Sequence, residues 1–335
     1  MNKFNWYEAK SVEDAIEQLN STVSREIESP SGNAAVLKAG GTDLLDLIKE
    51  GLVQPKTLVH IRNIPGMGDI TVDRGGGMKL GANVTLADIE KNPDIKSKYL
   101  ALHQAVASAA TPQIRTMATI GGNLVQRTRC WYFRSAEHQC LRKGGDTCFA
   151  KNGENENHAI LNNGTCVSVH ASSVSTALMA FDAVVMIING KNEMKEVPIE
   201  EFFVGPGEDA SAETILKDDE IITGITLPAQ GSNSKSYYIK QGPRKSYDWS
   251  IADVAVVLKM NGSKCEDARL VLGAAAPTPL RSRSAERVLN GKNINTDVAQ
   301  RAAIAALERA RPLSKNGYKI PLFESIIKQA ITEIV

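Results

Sequence analysis

Apolar and polar positions change period along the chain, and each change marks an element. After Ser11, apolar residues recur at Val12, Ala15, Ile16 and Leu19, which is one face of a helix. Asp14, three residues beyond Ser11, completes the signature of a helix start. The run Ala34-Ala-Val-Leu-Lys-Ala39 reads as a buried strand that breaks at Gly40-Gly-Thr-Asp43, after which Leu44-Leu-Asp-Leu-Ile48 reads as a helix. Thr57-Leu-Val-His-Ile61 is a further strand, ended by Asn63-Ile-Pro-Gly66. Ile70-Thr-Val-Asp73 and Gly75-Gly-Gly-Met-Lys-Leu80 pattern as a hairpin whose glycines supply positive φ at the turn. Thr85 can cap a helix through Leu86 and Ile89, and residues 99–110 continue in helical period.

The second half opens with a helix over Ser175 to Phe181 and strands at Ala183–Ile188, Glu220–Leu227 and Ser236–Lys240. Leu227-Pro-Ala-Gln-Gly-Ser-Asn-Ser234 is the best boundary in the chain, being polar and holding both Pro and Gly. Beyond it, strands at Ile251–Met260 and Ala268–Leu272 precede helices at Ser284–Leu289, Val298–Arg311 and Leu322–Ile334. Strands followed by helices predict an α+β arrangement. A length of 335 residues predicts two or three domains.

Composition narrows the function classes. The chain is 42% hydrophobic and 23% charged, which is ordinary for a globular protein. A formal net charge of +1 predicts no nucleic-acid partner and no membrane electrostatics. No apolar run reaches the length of a membrane span. The start, Met1-Asn-Lys-Phe-Asn-Trp-Tyr-Glu8, lacks an apolar signal region, and the cysteine count is odd. Both predict a reducing, cytoplasmic setting in which thiols serve as ligands.

Four of the five cysteines, Cys130, Cys140, Cys148 and Cys166, fall in one polar stretch. Its richness in Gly, Asn, Lys and Glu predicts a segment that needs something to order it, and four thiolates around one metal centre is the leading candidate. The spacing C-x9-C-x7-C-x17-C differs from the short pairs of zinc ribbons and ferredoxins, so a zinc site or unrelated thiols stay open on spacing alone. Arg127, Arg129, Arg134, Arg142 and Lys143 surround the cysteines and would offset the charge of a thiolate cluster. Cys265 lies apart, beside Asn261-Gly-Ser-Lys264, and reads as a surface or edge thiol. His138, His158 and His170 read as solvated or hydrogen-bonded, with substitute ligation as the alternative. Trp131, Tyr132 and Phe133 read as packing the stretch against its domain.

Two glycine turns carry the other candidate chemistry. Lys38-Ala-Gly-Gly-Thr-Asp43 lies between a strand and a helix, where backbone N–H groups can approach an anion. Ala118-Thr-Ile-Gly-Gly-Asn-Leu124 is a second pair. Neither matches a dinucleotide fingerprint or a Walker loop, and a Gly-Gly taken alone is more often a tight turn than a phosphate cradle.

Together with these turns, Leu80-Gly-Ala-Asn-Val-Thr85, Gln113-Ile-Arg-Thr-Met-Ala-Thr-Ile-Gly-Gly-Asn-Leu124 and Val271-Leu-Gly-Ala-Ala-Ala-Pro-Thr-Pro279 resemble the FAD-binding (medium) subunit of molybdenum hydroxylases. The resemblance runs through nearly the whole chain in order. It implies an FAD-binding domain of the vanillyl-alcohol-oxidase type over residues 1–228, with the cysteine-rich segment 126–168 as an insertion. An α+β flavoprotein domain, an antiparallel sheet with helices, would follow over residues 235–335. In some members, similar to the flavin subunits of 4-hydroxybenzoyl-CoA reductase and a bacterial periplasmic aldehyde oxidoreductase, the insertion binds a [4Fe–4S] cluster. Gln126-Arg-Thr-Arg-Cys-Trp-Tyr-Phe-Arg134 resembles the latter, which makes Cys130, Cys140, Cys148 and Cys166 the implied ligands.

Carried over by position, Lys38, Ala39, Gly40, Gly41, Thr42 and Asp43 would line the FAD pyrophosphate. Thr111, Ile120, Gly121, Gly122 and Asn123 would form a second wall, and Glu220, Ile222 and Lys240 would approach the flavin, where a lysine ammonium stabilises a reduced ring. A solvated strand-end lysine is the bland alternative for Lys240. One departure stands out: the family carries an aspartate toward the adenosine ribose where this chain has Ser173, a hydroxyl without charge assistance. The resemblance implies an electron-transfer subunit with no catalytic residue of its own. Its partners would be a large molybdenum-cofactor chain, a small [2Fe–2S] chain and an external carrier such as ferredoxin, NAD or quinone. Electrons would run outward through FAD, or inward from ferredoxin in a reductase. Export with a partner would place the complex in the periplasm instead. The rival readings are a stand-alone FAD oxidoreductase with its own substrate and a zinc-binding scaffold.

Overall fold

The computed structural model describes residues 2–335, and three sheets organise them. The first is parallel, with β1 (Asn5–Glu8), β2 (Ala35–Lys38) and β3 (Thr57–His60) in the order β1-β3-β2. Parallel neighbours need crossovers. Helices Val12–Gln18 and Val23–Glu28 join β1 to β2, and Leu44–Lys49 joins β2 to β3. The central strand buries Leu58 and Val59 completely. The first helix starts as its sequence predicts, with the Ser11 hydroxyl accepting the Asp14 N–H. Strand β1 and the helix Val23–Glu28 escape a sequence reading because β1 is a mostly exposed edge and the helix buries only Glu26 and Ile27.

The second sheet is antiparallel: β4 (Ile70–Val72), β5 (Met78–Gly81), β6 (Val184–Ile188), β7 (Met194–Pro198) and β8 (Ile221–Leu227), in the order β4-β5-β8-β6-β7. Helices Leu86–Lys91, Leu100–Ser108 and Ser173–Ala180 share its core with Leu80, Val185 and Ile225. Thr85 and Asp88 form a reciprocal capping box at the first of these helices. Strand β7, Met-Lys-Glu-Val-Pro, is a largely exposed edge and carries no readable alternation.

The third sheet is antiparallel, with β9 (Ser234–Gln241), β10 (Ala252–Asn261), β11 (Lys264–Gly273) and β12 (Leu280–Arg281) in the order β12-β11-β10-β9. Val254, Val256 and Leu258 turn to the helices Arg283–Leu289, Thr296–Ala306 and Lys319–Thr332. Ala255 and Val257 turn the other way, into the core shared with the second sheet. Both faces are therefore covered. Cys265 lies in the helix-side core and is fully buried, which corrects the expectation of a surface thiol. Its strand begins four residues earlier than the apolar run suggests, and Cys265 faces inward.

The cysteine-rich segment is better anchored than its composition predicts. Phe133 enters the core of the first sheet beside Leu44, Leu47 and Leu58. Ile160 and Leu161 enter the core under the third sheet. Asn316 Nδ2 donates to the carbonyls of His158 and Ala159, and the Arg311 N–H donates to Ile160 at 2.6 Å. The insertion is thus a strap tied at both ends by apolar burial and hydrogen bonds. Among the described residues no helix is long and apolar enough to cross a membrane.

Candidate functional site

A cleft of about 340 Å³ opens between the first and second sheets, and Lys38 to Asp43, Gly121, Gly122 and Ile222 line it. The two glycine turns meet there. A Cβ on Gly40 would stand 2.0 Å from the Met117 carbonyl oxygen, so only glycine lets the first turn lie against the chain leading into the second. Gly41 has φ +77°, which L side chains rarely adopt.

The two turns use their N–H groups differently. In the second, Ile120 and Gly121 donate to Val84 and Ala82 at 2.9 Å, and Gly122 donates to the Thr119 hydroxyl at 3.2 Å. In the first, the N–H groups of Gly40, Gly41 and Thr42 have no protein acceptor among the described residues. An anion therefore finds free donors at Gly40–Thr42, while Gly121 and Gly122 shape the wall. Lys38 lies at the rim with Nζ 5.1 Å from the Trp6 ring; burial and then the nearby Arg62 push its ammonium pKa down. The facing wall comes from residues 21–25 and 209–222, and Arg25 and Asp218 form an ion pair from its two parts. Sequence reasoning missed Thr119, Arg127 and Glu213 as lining residues. Only the Thr119 helix cap left a readable signal.

Asp43 lines the cleft, but its carboxylate is committed elsewhere. Oδ1 lies 2.7 Å from both Arg129 Nη2 and Arg134 Nη2, and Oδ2 accepts the Arg127 N–H at 2.8 Å. Arg134 also reaches Asp46 and Glu50 at 3.4 Å. Arg127, Arg129 and Arg134 therefore answer carboxylates, which corrects the expectation that they screen the thiols. Trp249, from the β9–β10 loop, stacks 4.1 Å above the Arg129 guanidinium.

Thr111, Ile120, Asn123, Ser173 and Lys240 do not line this cleft. Thr111 caps the turn Pro112–Arg115, and Ile120 is fully buried in the core. Asn123 Oδ1 accepts from Ser172 at 2.6 Å, which ties the second glycine turn to the helix carrying Ser173. Lys240 is not a solvated lysine: Nζ donates to the Ser108 carbonyl at 2.7 Å, and burial pushes its pKa down. Asp253 faces Lys240 across the strands and is buried, which pushes its carboxyl pKa up.

The four cysteines converge. Cys130, Cys140, Cys148 and Cys166 all line one small cavity of about 10 Å³. Backbone N–H groups point at the sulfurs: those of Tyr132 and Phe133 at Cys130, Arg142 at Cys140, Lys151 and Val167 at Cys148, and Ser168 at Cys166. Such donors favour thiolates. Cys148 and Cys166 face each other and Arg142 stands beside Cys166, which pushes the Cys148 thiol up and the Cys166 thiol down. Burial lifts Cys130 to about 11. Among the described residues no group of three or more His, Cys, Asp or Glu is arranged to hold a metal ion. The donor set fits an iron–sulfur cluster in chemistry and convergence, whereas a ready-made single-ion site is not formed.

Two of the histidines are hydrogen-bonded, as one side of the sequence expectation has it: His138 Nδ1 lies 3.1 Å from the Ser135 hydroxyl, and His158 reaches Cys130. His158 and His170 are buried rather than solvated, and His158 Nε2 lies 3.2 Å from Cys130 Sγ. His138 is half-buried between Tyr132 and Phe149. Phe133 packs the insertion onto its domain as predicted, while Trp131 and Tyr132 pack within the insertion, on His158 and Phe149.

The family described as FAD binding domain in molybdopterin dehydrogenase matches residues 2–230, and CO dehydrogenase flavoprotein C-terminal domain matches residues 237–334. The chain belongs to the FAD-binding medium subunits of the molybdenum hydroxylase family. The aldehyde oxidoreductase FAD-binding subunit PaoB of Escherichia coli (strain K12) is 30% identical over 319 residues, covering 95% of this chain and 96% of that protein. The carbon monoxide dehydrogenase medium chain of Hydrogenophaga pseudoflava is 26% identical over 333 residues, 98% of this chain and 96% of its own. The solved carbon monoxide dehydrogenase from the same organism superposes with a TM-score of 0.74 over 99% of this chain and 97% of that one, at 26% identity. Quinoline 2-oxidoreductase from Pseudomonas putida 86 shares the fold, with a TM-score of 0.74 at 21% identity over 99% and 97% of the two chains. This flavin subunit is accordingly an FAD-binding component of an oxidoreductase, with the two-domain α+β fold of the family.

Proposed function

We propose that this flavin subunit relays electrons between a molybdenum-containing partner and an external carrier, and that its cysteine insertion holds a [4Fe–4S] cluster. The observation that carries the reading is the pairing of free N–H donors at Gly40–Thr42 with four convergent thiols on a segment tied to the same turn through Asp43. Bound FAD supplies the junction between two-electron and one-electron chemistry. The chain's own residues bind and orient it. Gly40, Gly41 and Thr42 would hold the pyrophosphate through their N–H groups, with Lys38 and Ala39 at the rim of the turn. Gly121, Gly122 and Ile222 shape the cavity, and Asp43 positions the turn against the insertion. Ile120 packs the core behind the second glycine turn, and the Asn123–Ser172 bond ties that turn to the helix carrying Ser173, which with Thr111 and Lys240 would form the second wall toward the flavin.

Cys130, Cys140, Cys148 and Cys166 would hold the cluster, their sulfurs stabilised as thiolates by the surrounding N–H groups. Arg142 and Lys143 are the insertion's cations that face the sulfurs. The domains of this reading are residues 1–228, with 126–168 as the insertion, and 235–335. The partners are a large molybdenum-cofactor chain and a small [2Fe–2S] chain, a reading supported by relatives named as medium chains and FAD-binding subunits. Ferredoxin, NAD or quinone is the external carrier, and the cytoplasm, or the periplasm by export with a partner, is the compartment. Affinity purification of the tagged chain from its native cell tests this reading. It should bring down two further chains, molybdenum and one FAD per tagged chain. A flavin-bearing monomer that turns over a small substrate alone would overturn it.

A further inference from the structure

The flavin cleft and the cysteine cavity share a wall. Arg127 and Glu213 line the first, while Arg142, Ser168 and Cys166 line the second. Glu213 Oε1 stands between the two arginines, 3.1 Å from Arg127 Nε and 3.7 Å from Arg142 Nη1. The three side chains are only 2%, 7% and 1% exposed, so this triad sits outside solvent screening. The same guanidiniums hold the main chain behind the cleft. Arg127 Nη2 donates to the Ser211 carbonyl at 2.8 Å, and Arg142 Nη1 donates to Ala210 and Ala212 at 3.4 and 3.3 Å. Asp209 accepts the N–H groups of Ser211 and Ala212, closing the turn from its other side. The cleft wall at 209–213 is thus pinned from behind by two side chains that grow out of the cysteine insertion.

Two guanidiniums and one carboxylate leave one buried positive charge in excess within the triad. Among the described residues Arg142 Nη2 has no acceptor. A buried charge of this kind is costly unless an anion stands close. Both cavities would supply one: the pyrophosphate of FAD on one side and thiolate sulfurs on the other. The link on the thiolate side is short. Arg142 Nε donates to the Ser168 hydroxyl at 3.1 Å, and that hydroxyl lies 3.4 Å from Cys166 Sγ. The remaining charged or titratable neighbours are His170 beside Glu213 and Arg142, Asp43 and Arg134 beside Arg127, and Asp209 and Cys140 beside Arg142.

We propose that Glu213 is a positioning residue that couples the two cavities. A metal-ordered cysteine site fixes Arg142, Arg142 fixes Glu213 and the 209–213 wall, and the wall tightens the grip on FAD. The inference rests on reading the cavities as FAD and iron–sulfur sites. Coupling between sites is reciprocal, so bound flavin must protect the iron by the same factor.

The test measures the FAD dissociation constant, by flavin fluorescence, in the purified complex before and after its iron is stripped with a ferrous chelator under air. In the wild type the constant should rise about tenfold on iron removal. Glu213→Gln should weaken FAD binding and bring that ratio close to one. Ser168→Ala, which removes the hydroxyl between Arg142 and Cys166, should lower the ratio while the fold stays intact. Iron loss to the chelator should slow with added FAD in the wild type and not in Glu213→Gln. An iron-loaded complex whose FAD affinity ignores iron removal overturns the coupling and leaves the reading of the cavities standing. A complex isolated without iron at these cysteines overturns the cluster reading, and the coupling falls with it.

Discussion

Arg134 Nη2 lies 2.7 Å from Asp43 Oδ1, joining the cysteine insertion to the turn that carries the free N–H donors of the flavin cleft. The same oxygen takes Arg129, so one carboxylate holds two cations in a half-buried setting. Removing it takes the shortest carboxylate contact from both guanidiniums while Asp46 and Glu50 still face Arg134 and Asp46 faces Arg129, a loss of about 2 kcal/mol. Asp43→Ala should therefore lower the melting temperature and release FAD, with the stability loss visible in flavin-free protein as well. A variant that loses flavin affinity at unchanged stability would show instead that Asp43 acts on the cofactor directly.

Gly40→Ala isolates the meeting of the two glycine turns. The added methyl would lie 2.0 Å from the Met117 carbonyl, and backbone on both sides must move. The expected cost is about 2 kcal/mol, as for other overpacked sites. Flavin retention should fall much further than stability, because the displaced atoms are those that carry Gly40 and Gly41 N–H. Gel filtration followed by flavin absorbance reads this directly.

Much of this framework is legible in the sequence, for reasons local to each residue. Ser11 and Thr85 announce helices because their hydroxyls satisfy N–H groups three residues on. Gly40-Gly41 announces a turn because positive φ and close backbone approach both demand glycine. Strand β1 and the edge strand β7 are silent, since exposed edges need no apolar alternation. The cleft wall at 209–213 is silent too. Its residues act through carbonyls and the carboxylates of Asp209 and Glu213, and their arginine partners lie in a distant segment. Asp43 shows the limit most clearly: its position marks the turn, but whether it faces a cofactor or two arginines depends on tertiary contacts.

His170 sets an acid limit on the fold. Its ring is buried against Phe203, and burial brings its pKa down to about 4 from an ordinary 6.5. The folded value is depressed, so the neutral ring's contribution is complete above pH 6.5 and is lost as pH falls from 6.5 toward 4. One such histidine accounts for about 3 kcal/mol across that window. Denaturant melts at pH 7 and pH 4.5 should show His170→Leu losing less stability on acidification than the wild type. Equal losses in both proteins would assign the acid sensitivity to other groups.

The central claim, FAD and an iron–sulfur cluster on one chain, is tested most directly by the absorption spectrum and iron content of Cys140→Ser beside the wild type. The wild type should carry one FAD per chain and about four iron atoms beyond those of the partner's [2Fe–2S] centres, a number set by the cluster type. Its flavin bands should sit on a broad iron–sulfur shoulder. In Cys140→Ser the shoulder and the iron should be lost while flavin bands persist. A wild type that shows flavin bands alone, or that holds zinc at the cysteines, would contradict the account.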